Sequence, residues 1–284
     1  MSSASPPISL SDRAADALAA AGPSFASERL VSVIVPTFRE ARALPALIAA
    51  VAPVRDELLA LGRDLELWLM DDPSGDGSES VVAAIGHEWV HYVPRTGPRG
   101  LSLAVLDGFS RARGGTLVVM DADLSHPPAA ILSMLERLAS GAGMVIASRY
   151  VPGGSTDAAW GLKRWVTSKG AMALARPLAR LTDPLAGFFA LPRATLERAP
   201  GLSPIGWKIG LEIVVRCRPG RIDEVPIHFK DRAEGESKLN ARECWRYLRH
   251  LGRLYAYRAG LSPKVAPGMW TPAQRTPSSR HARP

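Results

Sequence analysis

The stretch TLVVMDADLSHPP, Thr116 to Pro128, decides how the chain is read. A short apolar run with β-branched residues ends in two carboxylates one residue apart, and Pro127 and Pro128 then block any continuation. A run this short and apolar fits a strand covered on both faces in a parallel sheet. Ligands of open parallel sheets bind beyond the carboxyl ends of the strands, so Asp121 and Asp123 stand where a ligand would be. Strand side chains alternate, so both acids face the same way if the strand persists between them. Two carboxylates this close repel each other unless a positive charge lies between them. A divalent ion shared with substrate phosphates is the natural counter-charge. The alternative is that one acid caps the helix beginning near Pro127 and the other is solvated.

Outward from this stretch, strand and helix signals alternate from Leu30. LVSVIVP, LELWLMDD, WVHYV, GTLVVMD and GMVIAS read as strands, with helical patterns between them. This βα rhythm predicts a mostly parallel sheet flanked by helices, an α/β class. After Ser148 the rhythm changes. A long helical pattern starts near Ala158, LAGFFALP reads as a strand, IGWKIGLEIVVRC as a helix, RIDEVPIHF as a strand, and Leu239 to Tyr257 as a helix. Residues 1–29 read as a flexible extension, 30–260 as one domain with halves at 30–148 and 149–260, and 261–284 as a disordered basic tail.

A second acidic strand end, Asp71 and Asp72, closes LELWLMDD. An acid there commonly receives ribose or base donors in nucleotide-binding α/β folds; the alternative is that Asp72 caps the next turn. No GxGxxG follows the first strand and no GxxxxGK[ST] occurs, so phosphates need a metal at Asp121 and Asp123 in place of a glycine-rich cradle.

Composition narrows the class. Apolar residues are 46% of 284, enough for a sizeable core. Cys217 and Cys244 form no CxxC pair and read as reduced packing residues. No leader pattern and no spanning run is expected. The net charge of +8 is concentrated in the second half: Ala158–Thr182 holds five basic residues and no acid, and Arg242–Arg258 five basic residues and one acid. That suits an anionic partner. No RRM aromatic motif or zinc-finger spacing is present, so nucleic acid is not the expected partner.

SVIVPTFRE, MDDPSGDGS, GLSLAVLDGF, MDADLSHPP, IASRYVPGG, DPLAGFFAL, GWKIGLEI and DRAEGESKL follow in this order. Together they resemble the dolichol-phosphate (polyprenyl-phosphate) mannose synthases, inverting glycosyltransferases of family 2 with the GT-A fold, over about Leu30 to Gly260. The resemblance implies transfer of mannose from GDP-mannose to a polyprenyl phosphate, with Mg²⁺ or Mn²⁺. It assigns Pro36, Phe38, Glu40, Met70 and Asp72 to the nucleotide. Asp121, Ala122 and Asp123 fall to the diphosphate, and Asp121, Asp123 and Ser125 to the metal. Arg149, Arg164, Ser168 and Arg232 fall to the lipid phosphate, and Arg232 and Lys238 close over the phosphates from a mobile RAEGESKL loop. Asp123, Arg149, Arg164 and Arg232 are the expected catalytic set. Three positions depart from the pattern: Phe38-Arg39 stands for the usual Tyr-Asn, Ser125 for Gln, and Ala186 for Ser.

A lipid monophosphate is largely ionised at neutral pH, so the chemistry needs no general base. Forked guanidinium groups suit the acceptor and a Lewis-acid metal suits the leaving diphosphate. Cys244, Leu248, Leu251 and Tyr255, widened by Trp245, Tyr247 and Leu254 and flanked by arginines, predict a basic amphipathic interface helix, with a similar segment around Trp160. The expectation is peripheral attachment to the cytoplasmic face of a membrane, directly or through a membrane-protein partner. The alternatives are another donor such as UDP-glucose, or a catalytically weak subunit that recruits a membrane partner.

Overall fold

The computed structural model describes residues 28–157, 170–199, 201–230, 241–261 and 270–271. Most of the N-terminal extension and basic tail lie outside these residues, as do the segment around Trp160 and the RAEGESKL loop.

The strands are β1 (Leu30–Thr37), β2 (Asp64–Asp71), β3 (Val90–Pro94), β4 (Thr116–Val119), β5 (Met144–Ser148), β6 (Ser155–Thr156), β7 (Phe189–Pro192), β8 (Ile222–Pro226) and β9 (His228–Phe229). The helices are α1 (Leu44–Ala60), α2 (Ser78–Ile85), α3 (Leu101–Arg111), α4 (Ala130–Ala139), α5 (Arg193–Glu197), α6 (Ile209–Cys217) and α7 (Ala241–Arg258). Seven strands form one sheet in the order β3-β2-β1-β4-β7-β5-β8. Only β7 runs antiparallel, against β4 and β5. β6 and β9 pair in a separate parallel ribbon. The strand order reverses between β1 and β4, which opens a crevice at their carboxyl ends.

Alternation within the strands builds two cores. Val31, Val33 and Val35 of β1 face α1 and α4, with Leu47, Ile131 and Leu135 behind them. Ile34 faces the other side with Phe109 of α3, Ile213 of α6 and Leu254 of α7. At Gly108 a Cβ would overlap the Ile34 side chain, so glycine lets α3 settle directly on β1.

Three expectations change. LAGFFALP is extended only from Phe189, because the residues before it turn beneath the site. RIDEVPIHF divides at Ile227, so β8 stays in the main sheet and β9 joins the small one. Within the stretch read as a disordered tail, Trp270 bridges Leu202 and donates from Nε1 to Ser110 Oγ at 2.8 Å.

The C-terminal helix also divides its apolar stripe. Leu251 and Leu254 pack into the core, while Trp245 (67% exposed), Leu248 and Tyr255 face outward. Among the described residues no helix is long and apolar enough to cross a membrane.

Candidate functional site

The acid pair at the end of β4 is positioned by a turn, not by strand alternation. β4 ends at Val119, two residues before Asp121. Leu124 then takes a left-handed conformation, φ 58°, uncommon for a leucine and a local strain. This turn lets Asp123 Oδ1 accept from the N–H of Ser125, two residues on, at 3.0 Å. Neither acid caps α4, whose N-terminal residue Ala129 has no side-chain cap. The Asp121 side chain is 28% exposed. Its floor is His126, which is fully enclosed between Phe188 and Phe229. Burial holds His126 below the usual histidine range, with the nearby Asp121 and Asp123 opposing. Its Nδ1 accepts from the N–H of Asp121 at 3.1 Å, so the ring is neutral and carries its proton on Nε2. His126 is therefore a spacer for the Asp121 backbone, and not the cationic partner its 3.9 Å approach to Oδ2 suggests.

The acids at the end of β2 meet a different fate. Asp71 accepts from Thr37 Oγ1 at 2.9 Å and from Tyr92 OH at 2.7 Å, and burial raises its pKa. Asp72 is 6% exposed on its side chain. It pairs through Oδ1 with Arg95 and accepts through Oδ2 from Gly100 N at 2.9 Å. Arg95 also bonds Asp107 of α3 at 2.7 Å. Asp72 thus ties the β3–α3 loop to the mouth of β2. The turn-capping role falls instead to Asp76. Burial opposes its charge, but Ala41 N–H, Ser78 and Ser74 hold it at about 2.

The other expected nucleotide residues gather at the same mouth. Pro36 and Met70 are cross-strand neighbours of β1 and β2. Phe38 carries the Arg99 guanidinium 3.3 Å from its ring centre, and Arg39 stands 5.2 Å away at φ 62°. Glu40 accepts at its carbonyl from Ala43 and Leu44, starting α1. Ala122 is buried between the two acids.

Opposite the acids, Arg149 leaves the end of β5. Its guanidinium forks onto the buried Asp183 at 2.7 and 2.9 Å. Burial works against its charge, and the Asp183 pair outweighs that. Arg149 also lies 5.2 Å from the rings of Tyr150 and Phe229. The turn from Asp183 to Phe188 then passes directly under Asp121: a Cβ on Gly187 would touch its carboxylate at 3.7 Å. Arg164, Ser168, Arg232 and Lys238 lie outside the described residues.

Sequence reasoning did not assign Lys208, Asp183, His126 or Arg99. The signal for Lys208 and Asp183 was present in GWKIGLEI and DPLAGFFAL, but nothing in the spacing says that the two segments meet. Lys208 Nζ donates to Leu185 O at 2.6 Å, inside the turn that Asp183 begins.

A divalent ion fits this donor set. Among the described residues no three His, Cys, Asp or Glu side chains converge into an all-protein cage. Two partly exposed carboxylates with phosphates completing the shell is the usual Mg²⁺ arrangement. Ser125 Oγ is buried beside them without a hydrogen-bond partner, an orphaned oxygen that such a site would satisfy.

Residues 32–198 match the model of glycosyl transferase family 2. The dolichol-phosphate mannosyltransferase of Mycosarcoma maydis is 40% identical over 253 residues, 86% of this chain and 85% of the relative. That of Saccharomyces cerevisiae is 38% identical over 243 residues, 81% and 88% of the two chains. That of Pyrococcus furiosus is 40% identical over 229 residues, but the match spans only 63% of its length. Among solved structures, glucosyl-3-phosphoglycerate synthase of Mycobacterium tuberculosis, in complex with Mn²⁺, UDP-glucose and glycerol 3-phosphate, superposes with a TM-score of 0.62 at 20% identity. The match covers 92% of this chain and 88% of that one.

Proposed function

Since the chain belongs to glycosyl transferase family 2, within the dolichol-phosphate mannosyltransferases and with the GT-A fold, we propose that it transfers mannose from GDP-mannose to a polyprenyl phosphate, with inversion. One observation carries the reading: the partly exposed Asp121 and Asp123 stand at the β1–β4 crevice above the 183–188 turn, whose first residue, Asp183, fixes Arg149.

In this reading Pro36, Phe38, Met70 and the loop held by Asp72 receive the nucleotide. Asp121, Asp123 and Ser125 would hold Mg²⁺ or Mn²⁺. A cation there supplies Lewis-acid stabilisation to the departing diphosphate. Arg149, fixed by Asp183, orients the acceptor phosphate; Arg164, Ser168, Arg232 and Lys238 are its proposed companions. The phosphate oxygen attacks the anomeric carbon, and the carbon–oxygen bond to the diphosphate breaks with its electron pair leaving on GDP. No group on the enzyme needs to take a proton, because the attacking oxygen is already ionised. The structure supports this economy: His126, the histidine beside the acids, is enclosed and is engaged through Nδ1 with backbone.

The acceptor is a lipid, and a membrane surface is the proposed place of work, on its cytoplasmic face. Trp245, Leu248 and Tyr255 of α7 stand exposed among Arg242 and Arg249, a combination that suits the interface of an anionic bilayer. Radiolabelled transfer to a prenyl phosphate, comparing GDP-mannose with UDP-glucose, tests the reading. Preferred turnover of GDP-mannose is expected. Preferred turnover of UDP-glucose would replace the donor, and no transfer from either would overturn the function.

A further inference from the structure

We propose that Lys208 is a ligand of the acceptor phosphate, placed beside Arg149 by the 183–188 turn. The inference rests on the transfer reading above for the identity of the acceptor.

The ammonium sits at a convergence of three segments. Lys208 is the residue from which α6 starts, and its Nζ donates to Leu185 O at 2.6 Å. Leu185 lies between Asp183, which holds Arg149, and Gly187, where an added Cβ would lie 3.7 Å from the Asp121 carboxylate. Part of the lysine reaches solvent, but its ammonium lies deep, and burial first, then the Arg149 charge, pushes its pKa down to about 8. Among the described residues no carboxylate lies within ion-pair distance of it. Asp183 is taken by the Arg149 fork. An ammonium has three donors, and the carbonyl of Leu185 satisfies one.

A covered ammonium without a counter-ion is costly, and the cost is recovered only when an anion arrives. The Asp121 carboxylate faces the same space, but a cation held there with the donor diphosphate would neutralise it. What remains is Arg149 and Lys208, two positive groups near enough that the Arg149 charge is felt at the ammonium. That arrangement fits a phosphate monoester whose oxygen must approach the sugar from opposite the leaving group. Trp207 covers one side, its ring centre 4.8 Å from the ammonium.

The test uses farnesyl phosphate, whose binding requires no sugar donor, alongside GDP. In Lys208→Met, affinity for farnesyl phosphate should fall by about tenfold to a hundredfold, the range for loss of one hydrogen bond to a charged group. GDP affinity should stay within about twofold, and Lys208→Arg should recover most of the loss. Unchanged farnesyl phosphate binding in Lys208→Met would overturn the proposal. Equal losses for GDP and farnesyl phosphate would also overturn it, since they would mark a role in holding the turn or the donor. Should Lys208→Met fail to fold, wild type and Lys208→Arg are compared across pH. The groups facing the ammonium are Arg149, Asp183, Asp121 and the Leu185 carbonyl. Wild-type affinity should fall as pH rises through about 8, while Lys208→Arg stays flat; identical profiles would overturn the assignment. Wild-type protein that transfers no sugar but still binds farnesyl phosphate through Lys208 would sink the functional reading and leave this one standing.

Discussion

Two strands of this sheet end in paired acids, and the pairs are held differently. Asp71 and Asp72 follow β2, and Asp121 and Asp123 follow β4, each after an apolar run with no other charge near its end. At β2 the acids are buried and their oxygens are engaged by Thr37, Tyr92, Arg95 and Gly100. At β4 the acids are partly open. An acid at a strand end is a fastening when a donor from the next crossover buries it, and stays open to a ligand when it is left partly exposed. The β3–α3 loop supplies Arg95 to the first pair. After β4 the chain turns through Leu124 and leaves the second pair facing the crevice.

The largest effect expected from this contrast is at β4. Asp123→Ala should cut sugar transfer about a thousandfold, the several kcal/mol a Lewis-acid site contributes, with little change in melting temperature. Undiminished transfer would make the two pairs alike. Asp72→Asn should do the reverse. Leaving Arg95 short of its buried partner should cost about 3 kcal/mol in urea unfolding, less than a fully orphaned pair because Asp107 remains. A variant as stable as wild type that loses GDP binding would give Asp72 the ligand role instead.

Smaller effects are expected from single contacts at each strand end. Tyr92→Phe removes one donor from the buried Asp71 and should destabilise the fold by about 1–2 kcal/mol, with GDP binding retained. Loss of binding without loss of stability would contradict the fastening role. The smallest effect belongs to His126. Its folded pKa is lowered, so the unfolded chain takes up a proton first as pH falls. Stability should therefore decline from about pH 6.5 downward and be constant above it with respect to this group. His126→Gln should flatten part of that slope in denaturation curves taken between about pH 5 and 7; an unchanged slope would show that the ring titrates normally.

Much of the architecture was legible because apolar runs and turn residues carry local information. The mostly parallel sheet follows from the βα rhythm, and the place of Asp121 and Asp123 just past a buried strand follows from TLVVMDAD. The turn that positions the acids was not legible. It depends on Leu124 adopting positive φ, which residue type disfavours. Asp72 stands at the end of β2 as its strand pattern implies, but its engagement by Arg95 depends on a loop 23 residues away in sequence. Lys208 was illegible for the same reason. Only the antiparallel insertion of β7 brings the 183–188 turn beneath Asp121, and a single sequence does not reveal that α6 starts against it. Exposure on α7 was likewise hidden: Leu251 and Trp245 look equivalent as letters, and only packing against α6 separates them.

The most direct test of the account is Mn²⁺ uptake followed by electron paramagnetic resonance in the presence of GDP. Wild-type protein should draw Mn²⁺ from solution when GDP is added, and the Asp121→Asn/Asp123→Asn double variant should not at the same concentrations. Equal uptake by both proteins would contradict the claim that these two carboxylates hold the cation against the donor diphosphate.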